Sequence, residues 1–582
     1  MPDPKASELD VKLWTPRRFR TLVGICIALG TLLRLESLGT PWILDDYMQL
    51  GMSSRVFWAE RAAWDRYRFI SGDPIETRHL MDSGALPWWT EPHLKLVMFR
   101  PIASLVGALE LWLVGPSPVV SHAVSLLACA LVVFAVALVY RRLLPCRTAC
   151  IALPIYVLGR SHDIPVGWVA NRAAIFAALF GALALHGHVR WRESGARSGL
   201  AQAVLCLSSS ALSAEYGLAT FGLFFAYEMF GSRPSQLRAL LPAFAVGLCY
   251  VAAYRGLGFG TRGTSVYADP TTEPGRFLMT ALTNVPLLGA EVLWPSPMRG
   301  ATMVAGILAV ALGISLLVPA LSQKARRTVL GATIAGFIAC LPLTVAAVPN
   351  PRLLEIPNIA FAGALAVLLD ETADVTGRVR WFAVRLVTSV QLFLAPVVAW
   401  LEMHLTRTTS SYLYEEGAKM PLEGEANEDA ILVAAPEIFS LHDPPMVRHL
   451  ESKTMPRAWW VLSVADSAHR LERVAADTLE LQVLGAGLFD TPNRDAYQPP
   501  KPPLAAGSVV DTGRLRVTVL AVGPAGPTRI RFRFPENLDA PNVTLLTAGA
   551  NGYQRMTPPT IGQSVVLPKA TLSPVVAPAL RY

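Results

Sequence analysis

The chain has 582 residues, of which 52% are hydrophobic and 16% are charged, and its mean hydropathy is +0.40. This composition excludes an ordinary soluble protein and predicts a polytopic membrane protein. The net charge of +8 does not indicate nucleic-acid binding, because the basic residues recur in short clusters between apolar runs. All seven cysteines lie in or beside apolar runs, so no disulfide framework or Cys-based zinc site is predicted.

Apolar runs predict an α-helical membrane domain over residues 1–405 with about 11 transmembrane helices, since about 20 apolar residues cross the hydrocarbon core. The first run has no small-residue cleavage site after it and is interpreted as a retained signal anchor. The predicted spans are 20–38, 119–141, 147–160, 167–188, 199–213, 215–231, 237–255, 301–320, 328–347, 355–370 and 382–402.

The distribution of basic residues predicts the orientation. Arg and Lys are concentrated in alternate connections, for example at Arg141, Arg142 and Arg147, whereas the short connections between them carry only Arg160 and Arg352. By the positive-inside rule, the N-terminus is cytoplasmic and the C-terminal domain is periplasmic, in a bacterial inner membrane.

Two long connections, 39–99 and 256–300, are therefore predicted to lie outside. The first is rich in aromatic and charged residues, which favours helices in the interface plane with tryptophans as membrane anchors. The apolar run 101–114 is too short for a comfortable span and is predicted to be a juxtamembrane helix. The tryptophans are Trp58, Trp64, Trp88 and Trp89.

Residues 406–582 differ in character from the rest. Apolar and polar residues alternate there, between turns rich in Pro and Gly. This pattern predicts a β-rich or mixed α/β extracytoplasmic domain. From its position we expect it to bind an acceptor or to cap a site.

Polar residues of the outer connections form the candidate site. Adjacent carboxylates at the mouth of a membrane helix, Asp45 and Asp46, are costly unless they face water, a cation or a substrate. Such a carboxylate can take a proton from an acceptor hydroxyl, and an arginine such as Arg172 or Arg352 can hold a phosphate. The other candidates are His162, Asp163 and Glu215.

Structural roles compete with each of these assignments. The Asp45–Asp46 pair also fits a helix cap, and Glu215 fits a partner for an arginine. His162 fits an ordinary loop histidine. Arg172 can snorkel to the interface or pair with Asp163, and Arg352 can form a salt bridge with Glu355.

Several short motifs follow one another along residues 20–370. They are Trp42-Ile-Leu-Asp45-Asp46, Phe99-Arg100-Pro101-Ile102, Ser121-His122, Ser161-His162-Asp163, Trp168-Val-Ala-Asn171-Arg172, Leu212-Ser213-Ala214-Glu215 and Arg352-Leu-Leu-Glu355-Ile-Pro357. Their order resembles the GT-C glycosyltransferases, particularly the protein O-mannosyltransferases and the transmembrane and tetratricopeptide-containing O-mannosyltransferases with their bacterial relatives. The resemblance implies Asp45 as base, Arg100 among the substrate-binding residues, and a polyprenyl-phosphate sugar, often mannose, as donor.

The chain departs from that pattern at Ala214, where the family has Lys, and at Ala174, where it has an acidic residue. One of two histidines near His162 is also missing. The expected activity is inverting sugar transfer from the lipid carrier to a hydroxyl of a protein, lipid or glycan. No cofactor is required and a divalent cation is possible. The alternatives are a transporter or flippase of lipid-linked sugars and a catalytically inactive scaffold.

Overall fold

The computed structural model contains two compact units. The first consists of Met1–Gly39, Phe99–Phe259 and Glu273–His404, and the second of Thr40–Met98, Gly260–Thr272 and Leu405–Tyr582. The prediction assigned the whole of residues 1–405 to one membrane domain, whereas two of its outer segments belong to the second unit. The structure describes residues 15–230, 236–293, 324–343, 350–372, 382, 385–386, 388–422, 428–436, 438–491, 496–499 and 504–571.

The first unit is helical. Its helices start and stop where the sequence supplies the signals: Ser117 caps the helix that follows it, Pro occupies the first position, and Arg141 and Arg142 lie in its last turn. The helices are Pro16–Leu33, Pro101–Val114, Pro118–Leu143, Cys146–Leu158, Asp163–Gly167, Ala173–Ser194, Arg197–Ser213, Thr220–Phe230, Leu241–Gly256, Pro274–Leu293, Lys324–Cys340, Pro357–Thr372 and Ala395–Ala418.

Four stretches within the described ranges are long and apolar enough to cross a membrane: Arg17–Gly39, Pro118–Leu143, Val169–Ser194 and Leu237–Gly256. A helix with the bounds predicted for the juxtamembrane segment, Pro101–Val114, is present. The predicted span 301–320 and part of the span 382–402 lie outside the described residues. The number of 11 spans stays a prediction.

The second unit contains a β-rich C-terminal region, as predicted. The strands of the molecule are β1 Arg68–Ser71, β2 Lys95–Val97, β3 Gly260–Arg262, β4 Asp429–Leu432, β5 Ala458–Val461, β6 His469–Ala475, β7 Thr478–Val483, β8 Val509–Asp511, β9 Arg516–Gly523, β10 Gly526–Arg533, β11 Val543–Gly549, β12 Gly552–Arg555 and β13 Ser564–Leu567. They form sheets in the orders β1-β2-β3, β13-β6-β7-β10-β9-β8 and β12-β11-β4-β5. In the last sheet β4 pairs in parallel with β11 and β5, and the six-stranded sheet is antiparallel.

The first long connection packs against this C-terminal region. It contains two helices, Asp45–Ser54 and Pro74–Ser83. Trp88 Nε1 donates to the carbonyl oxygen of Leu462 over 3.1 Å. Trp58, Trp88 and Trp89 are buried within the unit. The interpretation of these three tryptophans as membrane anchors is therefore wrong, because an amphipathic ring that anchors in the interface must reach lipid.

Gly84 is a point of close approach in this packing. It has φ +79, and a Cβ added there would lie 1.9 Å from the carbonyl oxygen of Trp459. Gly507 shares the left-handed backbone, with φ +87, but a Cβ there would meet nothing within 4 Å. A comparison of the two glycines therefore distinguishes the cost of left-handed backbone strain from the cost of a steric clash.

We predict that Gly84→Ala destabilises the protein far more than Gly507→Ala. Left-handed strain costs about 1 kcal/mol at either position, and forcing backbone apart adds about 2 kcal/mol or more at Gly84. The measurement is thermal unfolding of the full chain in detergent. Equal shifts in melting temperature for the two variants would contradict the described packing.

Candidate functional site

Charged residues from distant segments form ion pairs within the first unit. Arg34 follows the first helix, and its Nε lies 2.9 Å from Asp163 Oδ1, with both side chains almost fully buried. The N–H does not point at that oxygen, so this contact is an ion pair without a hydrogen bond. The guanidinium also donates to the carbonyl oxygens of Val157 and Gly159 over 3.2 and 2.8 Å. Burial raises the pKa of Asp163, in the turn between two helices, to about 6, and Arg34 opposes this shift.

His162 joins the same turn to the segment before helix Pro357–Thr372. Its Nδ1 lies 2.8 Å from a carboxylate oxygen of Glu355, and its Nε2 donates to the carbonyl oxygen of Tyr156 over 3.0 Å. One proton must therefore lie between Nδ1 and Glu355, either on a charged imidazolium or on a neutral carboxyl. The partner of Glu355 is thus His162, and the salt bridge with Arg352 considered from the sequence is not formed.

Two arginines predicted to bind substrate already face carboxylates. Arg172 donates to Glu110 Oε1 over 2.7 Å, and Arg100 Nε donates to Glu215 Oε2 over 2.8 Å. Glu110 was missed by sequence reasoning, although it is a single carboxylate within the apolar run 101–114 and is expensive there unless paired. Arg172 pairs with it and not with Asp163.

Arg352 differs from the other predicted cations. Its side chain donates to the amide oxygen of Asn171, a neutral group. Within the described ranges, no carboxylate lies within ion-pair distance of its guanidinium. Arg352 therefore retains a positive charge that the described residues do not neutralise, next to the motif that contains Asn171 and Arg172.

A cavity beside this cluster was also missed. It has about 430 Å³ of empty space, part of it open to solvent, with Arg160, Ser161, Glu291 and Asn358 among its lining residues. Arg160 pairs with Glu291 and with Glu402 from the last described helix of the unit. The separations along the chain, more than a hundred residues in each case, are why sequence patterns did not reveal these pairs.

Asp45 and Asp46 belong to the second unit and play different parts there. Asp46 is buried, and its Oδ2 accepts a hydrogen bond from the Ile43 N–H over 3.1 Å, so it holds the start of helix Asp45–Ser54. Asp45 is partly exposed at the first position of that helix. Asp46 thus braces the residue before the helix start, but no side chain caps the first turn of this helix. The role of Asp45 as a base stays a prediction, as does its predicted convergence with Arg172 and Glu215.

A third carboxylate of the second unit lies near this pair. Asp443 is buried. Burial raises the pKa of Asp443 well above its usual range, and the charges of Asp46 and Asp45 add to the shift. Sequence reasoning missed Asp443, although the His442-Asp443-Pro-Pro segment places an acidic residue at a helix start. In the described ranges, no group of three or more His, Cys, Asp or Glu side chains is arranged to hold a metal ion.

Comparisons with known proteins found few similarities. No family model and no curated protein matches the sequence. One similar solved structure is the oligosaccharyltransferase AglB of Archaeoglobus fulgidus in complex with an inhibitory peptide and a dolichol-phosphate. Its sequence is 13% identical to this chain, and the TM-score is 0.43. The match covers 76% of this chain and 64% of that chain. The apo form of the Archaeoglobus fulgidus oligosaccharyltransferase is 13% identical over the same shares with a TM-score of 0.41. The form tethered to an acceptor peptide with the NVT sequon is 14% identical, with a TM-score of 0.40, over 77% and 64% of the two chains.

The match thus spans less than two thirds of the length of these oligosaccharyltransferases. A likeness at this level of identity and TM-score does not establish a shared activity.

We predict that the Arg172–Glu110 pair is coupled far more strongly than an exposed pair. Removing one partner of a buried ion pair leaves an unpaired charge and costs about 3–5 kcal/mol, whereas an exposed pair contributes about 1 kcal/mol or less. Arg142–Glu193, with side chains 31% and 33% exposed, is the control. Double-mutant cycles with Arg→Gln and Glu→Gln, measured by thermal unfolding in detergent, test this. A coupling no larger than that of the control would show that Arg172 is not held by Glu110.

Proposed function

We propose that this chain is an integral membrane glycosyltransferase of the GT-C type. It transfers a sugar from a polyprenyl-phosphate carrier to an acceptor hydroxyl on the extracytoplasmic side, with inversion at the anomeric carbon. The observation that supports this most directly is the paired cluster in the first unit, in which Arg352 alone among the predicted substrate cations faces no carboxylate of the described residues. Such a cation suits a phosphate group.

Asp45 is proposed as the general base. Its carboxylate takes the proton of the acceptor hydroxyl as that oxygen attacks the anomeric carbon, and the bond from this carbon to the phosphate oxygen breaks. Such a base contributes about 10²–10⁴-fold to the rate. Arg352 stabilises the negative charge that develops on the departing phosphate. A single displacement inverts the anomeric centre, and no covalent sugar–protein intermediate is needed.

In this proposal the ion pairs hold the helix ends and the side chains around the substrate in place. Arg100, Arg172 and Glu215 are predicted to bind substrate, and the pairs Arg100–Glu215 and Arg172–Glu110 hold their side chains in place for this role. His162 and Asp163 likewise hold the turn against Glu355 and Arg34. A divalent cation bridging the phosphate and carboxylates is not required.

We predict that Asp45→Asn abolishes transfer while leaving folding intact. Loss of the base lowers kcat by about 10²–10⁴-fold. Asp46→Asn should instead lower stability, because Asp46 holds the helix start. Asp73→Asn is the control, since Asp73 caps the neighbouring helix Pro74–Ser83 at an exposed position.

The measurement for these variants is sugar transfer from labelled polyprenyl-phosphate sugar by the purified protein. Normal transfer by the Asp45→Asn variant contradicts the assigned base, and movement of labelled lipid across vesicles without acceptor would instead favour a transporter.

We predict that Arg352→Gln raises the KM for the lipid-linked donor and lowers kcat, and that Arg352→Lys restores part of both. A lysine keeps the charge but loses the planar, bidentate contact with phosphate. Arg192→Gln is the control, because Arg192 is paired with Glu228 and belongs to a predicted cytoplasmic connection. Donor binding and transfer rates that are unchanged in Arg352→Gln would exclude Arg352 as the phosphate ligand.

A further inference from the structure

The charged cluster at the cavity of the first unit contains more carboxylates than cations. Arg160 forms a bidentate pair with Glu402, in which Nε donates to Oε2 over 3.1 Å and Nη2 donates to Oε1. The remaining terminal nitrogen of Arg160, Nη1, donates to Oε1 of Glu291. One guanidinium charge therefore faces two carboxylates, and their side chains are only 12% and 17% exposed.

The neighbouring ion pairs do not supply the missing positive charge. Arg34 is balanced by Asp163, and His162 shares one proton with Glu355, so each of these two pairs is neutral as a whole. In the part of the chain that the structure describes, Glu291 contacts no cation other than the arginine that already pairs with a second carboxylate. The cluster therefore keeps one negative charge in excess.

A buried carboxylate without a full counter-charge either takes up a proton or binds a cation. Glu291 lies in the connection 256–300, which is predicted to be outside the membrane. Burial raises the pKa of Glu291 to about 7, and the charge of Arg160 opposes this shift. Near neutral pH a cation can therefore displace the proton from this carboxyl.

Two further oxygen atoms in the lining of the same cavity lack a hydrogen bond. Ser161 is 1% exposed, and its Oγ has no partner among the described residues. The same holds for the buried Oδ1 of Asn358. A buried oxygen without a partner costs free energy, so these two atoms indicate a donor that the described residues do not supply.

We propose that this cavity binds a small primary amine in its ammonium form. An ammonium group has one positive charge and three N–H donors. The charge matches the excess carboxylate, and the donors match three acceptors, namely the carboxylate of Glu291, Oγ of Ser161 and Oδ1 of Asn358. The inference is independent of the proposed sugar transfer.

The size and lining of the cavity favour an organic cation over a metal ion. Calcium takes six to eight oxygen ligands, more than these three side chains offer. The volume of about 430 Å³, part of it open to solvent, leaves room for a carbon chain beside the ammonium group. Leu354 and Phe361 are among the apolar lining residues and can cover such a chain.

The test uses the purified full chain in detergent at about pH 8, where an alkylamine keeps its proton. The probe is n-butylamine hydrochloride, titrated at constant ionic strength and followed by ligand-observed NMR and by thermal unfolding. We expect saturable binding that Glu291→Gln weakens about tenfold or more, because a charge-assisted hydrogen bond is lost. Glu193→Gln is the control, since Glu193 is 33% exposed and pairs with Arg142, and it should leave the affinity unchanged.

Ser161→Ala distinguishes a ligand-binding role from a structural one, and it carries the test should Glu291→Gln fail to fold. Because Ser161 Oγ has no partner among the described residues, its removal should not lower the melting temperature measured without amine. The affinity for butylamine should nevertheless fall about threefold or more.

Two probes separate the charge from the N–H donors. Tetramethylammonium chloride has the charge without the donors, n-butanol has the chain without the charge, and we expect each to bind more weakly than butylamine. Equal binding of either probe overturns the proposal, and so does stabilisation by calcium chloride in place of butylamine. The absence of saturable butylamine binding, or an affinity that neither Glu291→Gln nor Ser161→Ala changes, overturns it as well.

Discussion

Pairing of buried charge is the constraint on which the first unit depends. A charged side chain that loses water in an apolar bundle must find an opposite charge or neutralise itself. Arg34 meets Asp163, Arg160 meets Glu291 and Glu402, and the partners lie more than a hundred residues apart. Each contact therefore fixes one helix end against another, and only a few mutual arrangements of the helices satisfy all of them.

The same constraint distinguishes the arginines whose charge is balanced within the protein from the one whose charge is not balanced by the described residues. The charges of Arg172 and Arg100 are balanced by the carboxylates that they face. Arg352 faces the neutral amide of Asn171, and its charge remains to be balanced. Within the second unit an equivalent division distinguishes buried Asp46, which holds a helix start, from partly exposed Asp45. Identical residue types in one motif thus lie in unlike surroundings, and the difference is local.

Much of the helical pattern followed from the sequence, because hydropathy and caps act locally. The helix Pro101–Val114 had the predicted bounds, and the C-terminal strands followed from alternation. Partners could not be predicted in the same way. Glu110 lies 62 residues from its partner Arg172, and Glu355 lies 193 residues from its partner His162. No local pattern in the sequence indicates pairs so far apart. The tryptophans were misassigned for a related reason, since composition alone does not distinguish lipid from a protein core.

The second unit draws on three separate stretches of chain, Thr40–Met98, Gly260–Thr272 and Leu405–Tyr582. During synthesis the first stretch emerges more than three hundred residues before the last. Domains otherwise tend to fold from the N-terminus as they are made. Here Trp88 packs against Phe532 and donates to the carbonyl oxygen of Leu462, 374 residues further along the chain. The aromatic surface of the first stretch therefore stays exposed on the nascent protein until these C-terminal strands have been made.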